Sequence, residues 1–353
     1  STSDNKTHAA CKNAVTVLSI DKMTGDAAKD NMTGFNFRKV WKVSEGRTPE
    51  LIGKLTGLNA FFDEGEGTWA SPYVVKTAEQ LQIAVSDSNT NIYFKLANDI
   101  YINDVSADNW YENASVNSWI ANNGTENPFN GVIDGCGYTV YGLYYSGNDS
   151  SVGLIPVAGN ATVSNLNIRN AYLESTNSTS TFVGSFVGRL SGNATLRIRS
   201  CSADDSVTLI GKNRVAGLVG GGSSNITMEN CYFIAGNNAV TCTSDKYAAS
   251  GLVADLWDGG INIRNCYTVD ILPFSTAPGG VSFVNTYTNV CEGVGKNTLT
   301  KLEKSQMTGE AAKKNMNGFD FVNIWKTVEN DYPVLVAKEN PAVDPNGTPG
   351  AVW

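Results

Sequence analysis

Between residues 152 and 288 apolar and polar positions alternate in five short phrases. They are Asn165-Leu166-Asn167-Ile168-Arg169-Asn170, Thr195-Leu196-Arg197-Ile198-Arg199-Ser200, Asn225-Ile226-Thr227-Met228-Glu229-Asn230, Gly260-Ile261-Asn262-Ile263-Arg264-Asn265 and Gly280-Val281-Ser282-Phe283-Val284-Asn285. Alternation with a period of two predicts strands with one face inward, and recurrence every 20 to 35 residues or so predicts a stacked array. A second phrase precedes several of these: Gly153-Leu154-Ile155-Pro156, Gly184-Ser185-Phe186-Val187-Gly188, Gly217-Leu218-Val219-Gly220 and Gly251-Leu252-Val253-Ala254. Glycines bracketing a short apolar run suit a strand that bends sharply, because glycine tolerates backbone angles closed to other residues. The connections are too short for crossover helices, so the chain is predicted to coil, each strand pairing in parallel with its equivalent one turn later. The predicted fold is all-β, a right-handed parallel β-helix (solenoid) with short helical and aromatic capping segments.

The alignment assigns two inward columns, Leu166, Leu196, Ile226, Ile261 and Val281, and Ile168, Ile198, Met228, Ile263 and Phe283. Asn170, Ser200, Asn230, Asn265 and Asn285 then share a corner, where amides about 4.8 Å apart can hydrogen-bond between rungs. The ladder is the favoured reading, and a preference of asparagine for turns is the alternative. Arg169, Arg199, Glu229 and Arg264 form an outward column, read as exposed ion pairs.

The ends repeat as well. Met23-Thr24-Gly25-Asp26-Ala27-Ala28-Lys29 through Trp41 to Pro49 aligns without gaps on Met307-Thr308-Gly309-Glu310-Ala311-Ala312-Lys313 through Trp325 to Pro333. Each copy reads as a threonine-capped helix stopped by Gly34 or Gly318, followed by an aromatic strand. The expected organisation is residues 1–60 as the tail of a preceding unit with a linker, 61–298 as the β-helix with its N-terminal cap, 299–336 as a segment covering the open end, and 337–353 as a linker-like tail. In the N-terminal cap, Thr77 and Gln80 form a capping-box pattern ahead of Leu81, Ala84 and Val85 on one helical face. Residues 103–127 form a long polar excursion containing Trp110, Tyr111 and Trp119.

The chain has 353 residues and a formal net charge of −8. An acidic surface argues against nucleic acid and anionic membranes, and no apolar run is long enough for insertion in a membrane. Seven cysteines, an odd number, cannot all pair within the chain. Cys201, Cys231 and Cys266 follow corner residues and are expected as buried free thiols, since stacked side chains point in parallel and suit a disulfide poorly. The Asn-x-Ser/Thr sequences, Asn113, Asn123, Asn193 and Asn225 among them, are not read as glycosylation signals.

The phrase Gly217-Leu218-Val219-Gly220, the opening 67–81, Pro128-Phe129-Asn130-Gly131-Val132-Ile133-Asp134-Gly135-Cys136-Gly137-Tyr138 and the closing 318–335 resemble the GLUG-motif proteins of bacterial surfaces. The resemblance spans most of residues 61–336, with departures at Pro156, Gly184 and Ala254. It implies a secreted or surface-attached extracellular protein, part of a longer multi-unit chain, with a β-helical fold and adhesive roles. Some relatives are labelled immunoglobulin A peptidases.

That label does not carry over by chemistry. Zincins need two histidines in HExxH, and Ser-His-Asp or Cys-His catalysis needs one placed; His8 is the single histidine. No cofactor is expected. Polysaccharide lyases and glycoside hydrolases remain an alternative, with Asp204, Asp205, Asp255 and Asp258 as candidate carboxylates. A passive spacer is a third reading. The favoured reading is adhesion or glycan binding to host or plant glycans or surface glycoproteins, through Trp110, Tyr111, Tyr144, Tyr145 and Trp257, the last in a turn flanked by Asp255 and Asp258. Trp119 is read as a packing residue.

Overall fold

The computed structural model describes residues 17–33, 35, 37, 41–51, 57–113, 115–121, 124–237, 239–244, 249–276, 280–290 and 299–336. His8, Gly34, Cys11, Asn123, Cys291 and the 337–353 tail lie outside these. The chain folds as two units, Ser1–Glu64 and Gly65–Trp353.

The larger unit is built from parallel strands. A full turn of chain passes through five segments. Segment I includes Val132–Asp134, Ala161–Ser164, 194–199, 224–229, Ile261–Arg264 and Val281–Val284; segment II includes Thr139–Tyr141, Asn167–Arg169, Ser202–Ala203, Tyr232–Ile234, Tyr267–Val269 and Thr286–Thr288. Segment III is Tyr144–Gly147, Ala171–Ser175, Val207–Gly211 and Val240–Cys242, and segment IV is Ser151–Val152, Phe182–Gly184 and Val215–Ala216. Segment V, which holds Ile155–Ala158, 187–190 and 219–222, runs on into segment I through the long strands Val187–Arg199 and Val219–Glu229. Every segment pairs in parallel with its counterpart one turn on. The last turn is shorter: Tyr267–Val269 leads through Asp270 directly to Phe274–Thr276, without segments III and IV.

The register confirms four of the five aligned phrases and moves the first. Leu196 pairs with Ile226, Ile261 and Val281 in succession, and Ile198 with Met228, Ile263 and Phe283. Their neighbours in the preceding turn are Ala161 and Val163, not Leu166 and Ile168. The inward column therefore reads Phe94, Ile133, Val163, Ile198, Met228, Ile263 and Phe283, every one buried. Each contributes roughly 1.5–3 kcal/mol. Ile168 lies one segment further along, inward beside Val140 and Ala203. Two alternating strands separated by two residues look alike in sequence, which is why the phrase slid.

The corner consists of those two residues. Asn165, Ser200, Asn230, Asn265 and Asn285 hold φ between 48° and 54°. Asparagine reaches this left-handed region more readily than other residues with a Cβ. Asn170, also left-handed at φ 49°, marks the next corner, between segments II and III. Among the corner residues one amide-to-amide bond forms, Asn285 Nδ2 to Asn265 Oδ1 at 3.1 Å, and Asn165 Nδ2 donates to Asp134 Oδ1 at 3.0 Å. Backbone conformation, rather than an amide ladder, accounts for this column. Arg199, Glu229 and Arg264 remain in one outward column with a loose Arg199–Glu229 pair at 4.0 Å, whereas Arg169 belongs to segment II beside Tyr141.

The second corner residue points inward: Leu166, Cys201, Cys231, Cys266 and Thr286, all buried. Cys201 Sγ lies 3.2 Å from Arg199 O, Cys231 Sγ 3.2 Å from Glu229 O and Cys266 Sγ 3.1 Å from Arg264 O. Thr286 Oγ1 donates to Val284 O at 3.2 Å. A small side chain with a donor satisfies the carbonyl two residues back, and the three thiols are free. The glycines of the second phrase answer to crowding. A Cβ on Gly217 would lie 2.3 Å from Gly251 O, and one on Gly153 2.5 Å from Gly184 O.

Ahead of the coil, Thr77 Oγ1 caps the helix Ala78–Ser86 by accepting from Gln80 N, and Leu81, Ala84 and Val85 are buried. After it, Leu299–Lys301 adds a last strand to segment II. The 304–336 stretch then packs against the outer flank of segment II: Tyr232, Tyr267 and Tyr287 form a cluster with Met307, Ala312, Met316, Phe319 and Trp325. The segment expected to cover the end of the coil covers its side. Tyr267 Oη donates to Pro333 O at 2.6 Å, and Tyr287 Oη to Asn317 O at 2.9 Å. Thr308 stands at the start of helix Gly309–Asn315 without a side-chain capping bond.

In the smaller unit, Ala27–Asn31 is helical and Trp41–Lys42 pairs antiparallel with Glu50–Leu51. Trp41 opposes Leu51 as Trp325 opposes Leu335, the same register in both copies.

Candidate functional site

Where segments III, IV and V take up their first strands, the coil leaves a cavity of about 370 Å³ bordered by the excursion. The excursion is held in place by one buried amide. Asn103 Nδ2 donates to Asn117 O and Gly142 O at 3.0 and 2.7 Å, and its Oδ1 accepts from Asn117 N at 2.6 Å. Two residues on, Trp119 is fixed by Nε1 donating to Leu154 O at 3.0 Å and by its backbone N donating to Tyr144 O at 2.7 Å. Trp119 thus packs, as expected, and also forms a wall of the cavity together with Tyr145, Asp149, Thr125, Val157 and Arg189.

Tyr145 Oη accepts from Asp149 N at 3.2 Å, and the Asp149 carboxylate stands beside its proton. Burial, with the Asp149 side chain beside it, pushes the phenol up to about 12. Arg189 occupies the place in segment V that Val157 holds one turn earlier and Gly221 one turn later. Its guanidinium carbon lies 5.1 Å from the Phe182 ring centroid. Its Nε is buried without a hydrogen-bond partner, and among the described residues the guanidinium has no carboxylate partner. A cation held against a ring and left without a counter-ion favours an anion arriving from outside.

Of the residues expected to bind, Tyr145 alone lines this cavity. Trp110, Tyr111 and Tyr144 come together elsewhere, on the outside of segment III around Tyr172, which the sequence did not single out. Tyr111 and Tyr144 stack on Tyr172 at 4.6 and 5.8 Å, and Trp110, only 6% exposed, meets Tyr111 and Tyr144 edge-on. These rings are spent largely on one another. Trp257 is 45% exposed, but it belongs to the strand Val253–Asp258 rather than to a turn. Arg214 lies 5.2 Å from its ring centroid and pairs with Asp255 at 2.9 Å, so Asp255 is buried and neutralised. Asp258 Oδ1 accepts from Gly259 N at 2.9 Å.

The candidate carboxylates do not converge. Asp204 pairs with Arg169 at 2.5 Å, Asp255 with Arg214, and neither these nor Asp205 and Asp258 border the cavity. Among the described residues no group of three or more His, Cys, Asp or Glu side chains could hold a metal ion. No helix among them is long and apolar enough to cross a membrane.

The larger unit is thus an all-β coil of parallel sheets with a cavity lined by aromatic residues and an arginine. A crystal structure from Bacteroides ovatus, named provisionally as an immunoglobulin A1 protease, matches 80% of this chain and 96% of its own at a TM-score of 0.51 and 16% identity. At that identity the likeness is one of fold. Over 177 residues, 47% of this chain, the sequence is 30% identical to Halomucin of Haloquadratum walsbyi, of which the match spans 2%. Over 137 residues it is 31% identical to a protein of Evansella cellulosilytica named provisionally as a Gly-rich membrane protein, of which it spans 15%. The chain therefore covers a small part of the curated relatives it matches. No family model matches it.

Proposed function

We propose that this chain is a surface-displayed or secreted carbohydrate-binding module that holds a saccharide bearing a carboxylate. Arg189 carries the reading: a guanidinium without a counter-ion, lining a cavity shared with Tyr145 and the largely buried Trp119, on a protein of net charge −8. Sugar rings lie against aromatic faces, and a carboxylate takes a charge-assisted bond from guanidinium. Binding rather than cleavage is favoured because Tyr145, with its raised pKa, stays protonated, and Asp149 stands in the lining without a second acid. A glycosidase needs a pair of carboxyls about 5–9.5 Å apart. The name of one relative, provisionally a Gly-rich membrane protein, supports a surface or membrane-associated setting. We take the coil to be right-handed, the sense found in about 98% of parallel crossovers.

The test is calorimetric titration with oligogalacturonate, sialyllactose and neutral lactose or cellobiose, run beside a reducing-end release assay. Acidic saccharides are expected to bind at least tenfold more tightly than neutral ones, and Arg189→Gln to remove the difference. Equal affinity for both classes, or an Arg189→Gln variant that binds like the parent, sinks the acidic assignment. No binding by any saccharide sinks the module reading in favour of a spacer, and release of sugar ends replaces it with an enzyme.

A further inference from the structure

The two copies of the terminal segment share their local structure but not their burial. Gly25 and Gly309 both hold φ at 54°, and Gly46 and Asn330 hold 67° and 58° at equivalent positions. Phe35 and Trp41 sit 4.9 Å apart as Phe319 and Trp325 sit 4.6 Å apart, and Phe35–Phe37 and Phe319–Phe321 are both separated by 6.1 Å. In the second copy this aromatic face is pressed onto Tyr232, Tyr267 and Tyr287, leaving Phe319 8% exposed and Met307, Met316 and Trp325 buried. In the first copy Phe35 is 40% exposed, and Met23, Met32 and Trp41 are only half-buried. Ala28 is buried in the first copy as Ala312 is in the second.

The same local fold, carrying the same methionines, phenylalanines and tryptophan, therefore presents one satisfied face and one unsatisfied face. Exposed apolar surface that is covered elsewhere in the same molecule marks a docking surface, and the covered copy defines the shape and chemistry of what covers it. We propose that residues 17–51 are the flank-covering element of another parallel coil, one carrying an outward ladder of tyrosines in the position of Tyr232, Tyr267 and Tyr287, and joined ahead of them in the same polypeptide. The chain's own ladder is already occupied by residues 307–335, so it is not the partner. In an array of such coils each segment would clamp the side of the coil before it and set the spacing to the next. This inference is independent of what the cavity binds.

Two measurements test it. In hydrogen exchange on the intact chain, amides of residues 27–33 are expected to exchange at least a hundredfold faster than those of 311–317, since the first copy lacks its partner flank. Equal protection overturns the proposal, because the first copy would then be complete by itself. In the second measurement residues 23–51 replace 307–335 in the otherwise intact chain, so that the first copy meets a tyrosine ladder. Restored protection across the grafted helix is expected, along with its loss when the graft carries Phe35→Asp and Trp41→Asp. A graft that stays unprotected, or a coil no more stable than that of the chain bearing Phe319→Asp, overturns it.

Discussion

Ser200 offers the sharpest test of the corner. It holds φ at 50° where its equivalents are Asn165, Asn230, Asn265 and Asn285, and its side chain makes no hydrogen bond among the described residues. An L-residue in the left-handed region costs about 1–2 kcal/mol through the clash of Cβ with the following carbonyl. Ser200→Gly removes that clash but frees the unfolded chain, which costs about 0.5–1 kcal/mol. The net expectation is stabilisation by roughly 0.5–1 kcal/mol, or about 1–4 °C in melting temperature for a unit of this size. Ser200→Ala keeps the Cβ and gains nothing. Asn285→Gly behaves differently, because it deletes the bond to Asn265 at 3.1 Å, worth about 0.5–1.5 kcal/mol. It is expected to be neutral or destabilising. Urea melts of the three variants at constant m-value decide the matter. If Ser200→Gly is destabilised by as much as Ser200→Ala, the corner is not left-handed in solution and the register drawn through it is wrong.

Met228→Asp places a carboxylate between Ile198 and Ile263, with no partner in the column, and is expected to prevent folding, read as loss of the β signal in circular dichroism. Cys201, Cys231 and Cys266 are buried and, through Cys201 and Cys266, carry thiols that burial holds well above the ordinary range. A thiol reagent followed by mass spectrometry should label all three only as fast as the protein unfolds, and labelling of any of them within seconds on the native protein contradicts the inward column. Burial raises the Asp134 carboxyl above its ordinary value, against hydrogen bonds from Asn165 and Cys136 and the charge of Lys95. A raised acid contributes stability that is fully present below its unfolded pKa and is lost as pH climbs through the folded value, so the ionised group is a burden at neutral pH. Asp134→Asn is therefore expected to raise the melting temperature at about pH 7, with the gain fading towards roughly pH 3; a gain independent of pH contradicts this cause.

Much of the coil could be read from single residues because its physics repeats. Every turn must bury one side of segment I and bend at one corner, so Leu196, Ile226 and Ile261, and Ser200, Asn230 and Asn265, recur in step. The reading slipped where two neighbouring strands carry the same alternation. In Ala161-Thr162-Val163-Ser164-Asn165 the inward residues are small, and the stronger-looking Leu166 and Ile168 drew the alignment five positions on, across the corner. Hydrophobicity alone cannot separate the two settings, whereas a left-handed asparagine can: Asn165, not Asn170, continues the series that ends at Asn285. The placement of the C-terminal segment was hidden for a related reason. Tyr232, Tyr267 and Tyr287 sit at outward positions, and only their recurrence on successive turns reveals a flank waiting to be covered.

The cavity was harder to foresee, because aromatic residues serve two opposed purposes on such a coil. Trp110, Tyr111 and Tyr144 looked available in sequence, yet stacking on Tyr172 consumes their faces, and Tyr172 lies about 30 residues away on the next turn, beyond any local pattern. Trp119 looked structural and is, but the bonds that lock it also set it as a wall. The informative residue was charged. Arg189 follows Gly188 in a strand whose neighbours place Val157 and Gly221 at the same height, a basic side chain where the repeat asks for something small or apolar. Asp255 breaks the same column one turn beyond Gly221, but Arg214 answers it at 2.9 Å. Under the proposed saccharide reading, Arg189→Gln should cost affinity while leaving the coil's melting temperature nearly unchanged, whereas Arg214→Gln should lower the melting temperature by exposing Asp255 as an unpaired buried charge.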